Sequence, residues 1–549
     1  MAQKLHKSQS SNNSLDLSLQ LITTFRLLLR YFKKGSQMKN ILLFLFFTTI
    51  ILLGSCRKDF STQRSSGSLE FSKDTVYLDT VFTNIGSSTY SLKVYNRSND
   101  AITIPTIQLE QGEDSGYRLN VDGIPGKYFE DIDILAKDSI YIFIETTIDY
   151  SQVTNPLYED KLQFDSGSNL QEVPLVTLVQ DAHFLYPDRE NGIIETLLLG
   201  TNPEGEEIRI EGRYLADDEL TFTNEKPYVI YGYMAVGDAD NTAKTLTVEA
   251  GSKVYFHANS GLIVNENSSL HINGSLNIEG QPETEVTFEG DRLEPEYAEV
   301  AGQWGLIWLR EGSIDNQINY ATIKNGSVGL LVDGMLSTAT PTLHIQNSQI
   351  YNLAQFGILG RNTHIKGENL VINNAGFSSL AGTSGGVYNF THATFANYWN
   401  GTRSYPTVLL NNFYAIDENT VMAVDLQEAT FTNCIIDGRN NIELNLEKVD
   451  GADFNYQFIN NIIAFNDIQN SYTDNPLYDF TDSSHYTDNL INADSDFREP
   501  TQNDLIIGED SEGNGQAATS GSLLVPLDLL GVPRNNPADI GAYEHIIFE

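Results

Sequence analysis

TIKN at Thr322–Asn325, QIYN at Gln349–Asn352, VINN at Val371–Asn374, TFAN at Thr394–Asn397, TFTN at Thr430–Asn433 and QFIN at Gln457–Asn460 are versions of one phrase, in which a β-branched or aromatic residue stands two places before an asparagine. Successive asparagines are 27, 22, 23, 36 and 27 residues apart. Short apolar/polar alternations at this period, interrupted by Gly and Asn, are what stacked β-coils need, because each coil buries its apolar face only against its neighbours. The longer intervals read as loops bulging from a coil. The stretch from Lys244 to Ile463 therefore predicts a parallel β-helix, with Ile350 and Ile372 on the inward face. The asparagines suit coil corners. Asn tolerates left-handed backbone, and its amide can bond to the next rung and form a ladder.

Working outward, KPYVIYGYMAVG at Lys226–Gly237 and the run from Lys244 to Gly280 read as short strands punctuated by EAGS, HANSG, NENSS and NGS. GQWGLIW at Gly302–Trp308 and GGVYNFTHATFANYW at Gly385–Trp399 continue the pattern, and DLLGVPRNNPADIGAYE at Asp528–Glu544 ends it. Over Pro227–Glu544 the chain resembles right-handed parallel β-helix proteins of the choice-of-anchor type. The resemblance implies the fold and leaves activity open, since β-helices serve lyases, hydrolases, adhesins and tailspikes alike.

From Leu69 to Asp181 the alternating runs are longer, as in SLKVYN at Ser91–Asn96, DSIYIFIETTI at Asp138–Ile148 and VPLVTLVQ at Val173–Gln180. About seven strands at such spacing predict a β-sandwich. The run Tyr77–Ile104 resembles immunoglobulin-like modules of the abnormal-spindle and choice-of-anchor type, which implies a spacer or adhesion unit. Residues 182–226, rich in Glu and Asp, read as a connector. It is expected to lie on the first coil as a lid, because a bare solenoid end exposes core and unpaired strand edge. The expected class is thus all-β: an Ig-like β-sandwich over 69–181, the connector, then a right-handed parallel β-helix with a C-terminal cap over 227–549.

The N-terminal region reads as an address. Met38-Lys39-Asn40 precedes the apolar run ILLFLFFTTIILL at Ile41–Leu53 and then Gly54-Ser55-Cys56, the plan of a secretory signal over 38–55. As a helix that run reaches only about 20 Å, short of a bilayer core of about 30 Å. LLGSC at Leu52–Cys56 resembles a bacterial lipobox, which implies acylation of Cys56 and a membrane partner reached through the lipid. Two or three acyl chains, at about 0.8 kcal/mol per buried CH₂, hold such a protein firmly. Residues 1–37 read as a dispensable or misassigned start, and 56–68 as a polar tether. Lys58-Asp59 resembles a signal for reaching the outer face of the cell. The expected location is the outer membrane, on its periplasmic face or at the cell surface. The other cysteine, Cys434, lies in an alternating strand and is expected to be a core residue.

Of 33 basic and 73 acidic residues, seven and one precede Cys56, which leaves 26 against 72, a net of −46. A surface so acidic repels nucleic acid, which is excluded as a partner. Carboxylates could recruit Ca²⁺, yet GDADN at Gly237–Asn241 and GEDSEGNGQ at Gly508–Gln516 complete no EF-hand, so neither a metal site nor any other cofactor is expected.

Three constellations carry possible chemistry. FEGDRLEPEYAE at Phe288–Glu299 places Arg292 among acids, with Arg310-Glu311 further on, as a lyase would need, but no acidic pair recurs one coil apart. HIKGEN and THATFANYWNGTR offer Glu368, His392 and Arg403 as the catalytic candidates. His392 alternates with Phe390, which argues for a packed imidazole instead. Trp304, Trp308 and Trp399, with Tyr398 and Tyr405, are candidates for stacking on sugar rings of a polysaccharide. The expected function is binding or adhesion toward glycan or another surface component. The alternative is a polysaccharide lyase or glycoside hydrolase.

Overall fold

A computed structural model describes residues 61–548, apart from Thr154, 335–338 and 418–419. Cys56, the signal 38–55, residues 1–37 and the start of the tether lie outside the described residues. The chain is all-β with large sheets. Among the described residues no helix is long and apolar enough to cross a membrane.

The chain divides into two compact units. The first comprises the described part of Met1–Asp74 with Ser91–Ile144 and Lys161–Pro174. Its central strand, Ile102–Leu109, pairs antiparallel with Tyr128–Ile134 and with Leu162–Phe164. Gln63–Arg64, within the stretch expected as a tether, joins the same strand in parallel at Ile102–Thr103. Its backbone thereby pairs polar groups that would otherwise stay open on the strand edge. Glu70–Phe71 pairs with Val94–Tyr95 in a second sheet. The Phe71 ring meets that of Phe164, from the first sheet, at 4.8 Å. Strand Ser139–Thr146 buries alternate residues, among them Ile140, Ile142 and Ile144, as a strand with one face on a core must.

The second unit holds the repeat, where short strands recur three to a turn and each pairs in parallel with its counterpart in the next turn. Three inward columns follow from the register. In the first, Val254, Phe288, Ile323, Ile350, Ile372, Phe395 and Ile436 are successive partners. In the second they are Leu262, Ile307, Leu330, Ile358, Leu380, Val408 and Leu444. The third runs Ile272, Ile318, Ile345, Gly367, Phe390, Phe431, Phe458, Tyr486. Gly367 breaks this apolar run for a reason of space: a Cβ there would lie 2.5 Å from the Phe390 ring. From Phe390 onward the rings of Phe431, Phe458 and Tyr486 stack at 5.3, 5.0 and 5.6 Å.

The six asparagine phrases occupy two corners, not one. Asn325, Asn352 and Asn374 leave the first strand of the turn with φ of 68°, 59° and 56°. Asn397 follows in the same line, outside the left-handed region, and accepts from the Ala375 N–H at 3.1 Å. Asn433 and Asn460 stand at the other corner, after the third strand, in a column with Asn347, Asn369 and His392. All five there have φ between 47° and 57°. The interval of 36 residues from Asn397 to Asn433 combines a change of corner with the expected bulging loop, which holds the hairpin of Phe413–Asp417 and Thr420–Ala423. Both corners require left-handed backbone directly after an alternating strand, so one phrase serves both. Side-chain amides link turns as expected: Asn369 donates to Asn347 and Asn347 to Asn319, each at 2.9 Å, and Asn374 donates to Asn352 at 2.5 Å.

The stretch expected as a connector supplies the first turn of the stack. His183–Leu185 pairs with Tyr228–Ile230, Gly212–Tyr214 with Tyr233–Ala235, and Thr221–Phe222 with Thr247–Val248. Leu185, Leu215 and Phe222 enter the core. Its acidic composition disguised it, because its eleven acids, only four of them in the hairpin 196–214, are scattered between the few buried residues. At the far end, Phe465, Tyr478 and Phe480 close over the last turn beside Tyr486, with ring contacts of 4.8 to 5.2 Å.

The C-terminal residues lie along the outside of the stack. Leu505, Leu529, Ala542 and Tyr543 cover Val371 and Ala396. Ile507, Ala517, Ala538 and Ile540 cover Ile435 and Ile462.

Ile350 is fully buried between Ile323 and Ile372. Ile350→Asp places a carboxylate there without a partner and should cost several kcal/mol, whereas Ile350→Val should cost about 1 kcal/mol. Urea unfolding of both variants checks this. Equal midpoints would mean that position 350 is not a core position.

Candidate functional site

Glu368, His392 and Arg403 do not assemble. His392 is wholly buried and fills an asparagine position in the third-strand corner, with φ 52°. Its Nδ1 lies 3.1 Å from the Gly541 carbonyl, to which it donates, and its Nε2 accepts from the Asn433 amide at 2.9 Å, with the Ser522 hydroxyl at 3.1 Å. This network assigns the neutral Nδ1–H tautomer. Burial, followed by the Arg534 charge, lowers the pKa well below 6.5. An imidazole so placed holds the C-terminal segment and has no route to a substrate.

Arg403 meets another partner. Its guanidinium forks onto Glu443 at 2.5 and 2.9 Å, and both side chains are buried. Glu443 also accepts from the Thr407 N–H and hydroxyl and from the Asn440 N–H. Burial pushes the Glu443 pKa up, although Arg403 pulls against it. Glu368 is bound by His344 at 3.0 Å and Lys366 at 2.9 Å. Burial acts to raise its pKa, but these two contacts prevail and lower it. The ion pair of Arg403 ties down the loop 398–407, and the sequence gives no hint of Glu443 as its partner.

The aromatic candidates separate into two groups. Trp304 is 1% exposed, stacks on Phe256 at 4.3 Å and donates to the Lys324 carbonyl at 2.9 Å, so it belongs to the core and is withdrawn as a stacking platform. Tyr398 turns toward Asp437 and Phe497 and is lost to the surface as well. Trp308 is half-buried against Leu197 and Ile263, its Nε1 donating to Asp333 at 2.8 Å. Trp399 and Tyr405 remain, and they have company that the sequence did not single out. Phe356, Phe377 and Tyr405 form a run of rings at 5.3 and 5.2 Å. Phe377 is 38% exposed and Tyr405 44%. The Trp399 ring packs on Gly376, directly before Phe377, where a Cβ would stand 3.5 Å from it. A signal was present. Phe356 and Phe377 each come shortly after a corner asparagine, in NLAQF and NNAGF, where the chain turns into its second strand.

The strip has a continuous backbone beneath it. The Gln355 N–H bonds to the Ser327 carbonyl at 2.9 Å and the Phe377 N–H to the Gln355 carbonyl at 2.7 Å, so three turns are joined at this corner. Ser327 also lines a cleft of about 560 Å³ with Ile210, Tyr233, Asn259, Gly302 and Gln303. Ser327 thus belongs to both, lining the cleft and bonding to the corner from which the aromatic strip rises. Beside the strip the Asn440 amide donates to the Tyr405 carbonyl at 3.1 Å, and Arg439 donates to Asn400 Oδ1 at 3.1 Å.

The acidic loops are satisfied by their own surroundings. Arg292 forks onto Glu294 and lies 3.9 Å from the Tyr297 ring centroid. Arg310 donates to Asn265 and to the Leu199 carbonyl. In GDADN the Asp238 carboxylate accepts from the N–H groups of Asp240 and Thr242. Among the described residues no group of three or more His, Cys, Asp or Glu is placed to hold a metal ion. Cys434 is buried, and burial pushes its thiol up to about 12, as a core residue and not a nucleophile.

No protein-family model matches the chain, and no curated protein matches it. Among solved structures, a family 123 glycoside hydrolase from Clostridium perfringens, from a structural analysis of glycolipid glycan hydrolysis, is 9% identical. The match covers 20% of this chain and 25% of that one, with a TM-score of 0.15. Similarity this slight carries no argument about fold or activity.

The His392 environment has a pH signature. The imidazole is neutral when folded and protonates near pH 6.5 when unfolded, so its share of stability is whole above pH 6.5 and is lost as pH falls below it. His392→Asn restores the residue type of the neighbouring turns. It should stay within about 1 kcal/mol of the parent at pH 7.5 and lose less stability than the parent toward pH 5. Urea midpoints at the two pH values test this, and identical pH slopes would clear His392 of the effect.

Proposed function

We propose that the chain is an exported lipoprotein held at the outer membrane or cell surface through Cys56, with an Ig-like β-sandwich carrying a right-handed parallel β-helix. In this reading it binds a glycan along the strip of Phe356, Phe377, Trp399 and Tyr405 and does not turn it over. The observation that carries the reading is the exposed aromatic run. Aromatic faces attract the C–H faces of sugar rings, and a row of them across successive turns suits a linear polymer better than a small molecule. Binding without turnover is favoured because the candidate acid, imidazole and guanidinium each bond elsewhere and not to one another. Catalysis needs such groups to converge on one substrate atom.

Two measurements test this. With detergent-solubilised full-length protein, Tyr405→Ala and Trp399→Ala should each weaken glycan binding about 3- to 10-fold, as loss of one aromatic contact would. Reducing ends should not accumulate. Unchanged affinity in both variants removes the strip as the site, and release of reducing ends brings back the hydrolase or lyase reading. For the anchor, Cys56→Ser should abolish metabolic labelling by a fatty acid and release the protein from membranes or leave it unprocessed. Label that persists in the variant contradicts a lipid on Cys56.

A further inference from the structure

Arg439 stands beside the aromatic strip, exposed, in a chain with carboxylates to spare. Arg213, Arg292, Arg361, Arg403, Arg498 and Arg534 each hold a carboxylate. Arg439 does not. Its side-chain partners are neutral, the Asn400 amide oxygen at 3.1 Å and the Trp399 carbonyl at 3.5 Å, both reached through Nη1. Among the described residues it forms no ion pair, and the residue is exposed. Arg310 likewise holds no carboxylate, but it is half-buried on Asn265 and the Leu199 carbonyl, whereas Arg439 is exposed and bonds to Trp399 and Asn400 beside the aromatic strip.

We propose that the glycan taken by this strip is acidic, and that Arg439 receives its carboxylate or sulfate while Trp399 and Tyr405 stack on the rings beside it. The inference rests on the glycan reading and deepens it. An arginine fork matches a planar carboxylate or a sulfate with two parallel hydrogen bonds, which a lysine cannot do. The neighbouring Asn440 donates to the Tyr405 carbonyl, and Arg439 itself donates to the Trp399 carbonyl and the Asn400 side chain, so the cation is tied to the segment that carries the aromatic faces. The overall negative charge does not forbid such a ligand. At physiological salt, charges more than about 8 Å away are largely screened, and the contact at Arg439 is governed by its own surroundings.

The test is affinity electrophoresis of detergent-solubilised full-length protein at about 0.15 M salt, through gels holding polygalacturonate, dextran sulfate or a neutral β-glucan. One or both acidic polymers should retard the parent more than the neutral one does, and which of them does so distinguishes carboxylate from sulfate. Arg439→Gln keeps a hydrogen-bond donor and removes the charge. It should lose about tenfold affinity for the acidic polymer with no change toward the neutral one and no change in urea midpoint. Arg439→Lys should recover part of the loss. Equal losses toward acidic and neutral polymers would make Arg439 only a brace for Trp399 and overturn the proposal. Retardation by the neutral polymer alone, abolished by Tyr405→Ala, would overturn it and leave the glycan reading standing. No retardation by any of the three would overturn both.

Discussion

Hydrogen bonding between turns governs this molecule. A strand of three to five residues has too little apolar surface to stand alone, and its N–H and C=O groups point along the stack, so each turn is completed only by the turns before and after it. Register follows from that requirement. One residue of slip would carry a whole column such as Ile323–Ile350–Ile372 from the core to the outer face. The left-handed corners keep the register by fixing where each strand stops, and their amides repeat the backbone's arrangement at the level of side chains. Gly367 shows how tightly the inner space is shared, since it yields its own side chain to a ring one turn away.

A stack completed by neighbours has a problem at its ends, where there are none. The two ends are closed differently. At the start, polar sequence is folded into a first turn that keeps Leu185, Leu215 and Phe222 inside and turns its charges outward. At the finish, a cluster of Phe and Tyr lies across the last turn, where large rings cover open core with few residues. The side of the stack presents a similar need, because Val371, Ala396, Ile435 and Ile462 point outward and are apolar. The C-terminal segment meets it, and His392 exists in its buried, neutral form because that segment needs an acceptor and a donor at one corner.

Much of this architecture was legible in the chain. Alternation and asparagine spacing located the turns, and the inward placement of Ile350 and Ile372 followed from alternation alone. The division of the asparagines between two corners was not legible, because both corners impose the same backbone and so select the same phrase. The connector misled for a related reason: composition averages acids scattered along it with the few buried residues that make a turn. At the candidate site, His392 was read correctly as packed, but it is the C-terminal segment over its corner that buries it, not a place beside Phe390 on the core face. Trp304 was misplaced because an indole that fills the core and one that waits at a surface have the same local sequence. Tyr405 and Trp399 acquired their partners Phe356 and Phe377 only when successive turns were stacked, a relation between residues some twenty apart that no local pattern contains. Glu443, forty residues from Arg403, is a further case.

The C-terminal segment touches the corner column at several fixed heights. Leu527 accepts from Asn369, Gly541 from His392, Ala518 from Asn433, and Gln516 from Asn460. A strap fastened at four successive turns is a ruler. Were a turn duplicated or deleted between Asn369 and Asn460, every fastening beyond it would fall out of step, and the apolar flank beneath would be uncovered. A turn added ahead of Leu276 would disturb none of them. The same segment also reaches Glu299 through Asn503 and Leu276 beside Gly531, so change in length is tolerated only ahead of Leu276, and natural variation in the number of turns should be confined to the start of the stack.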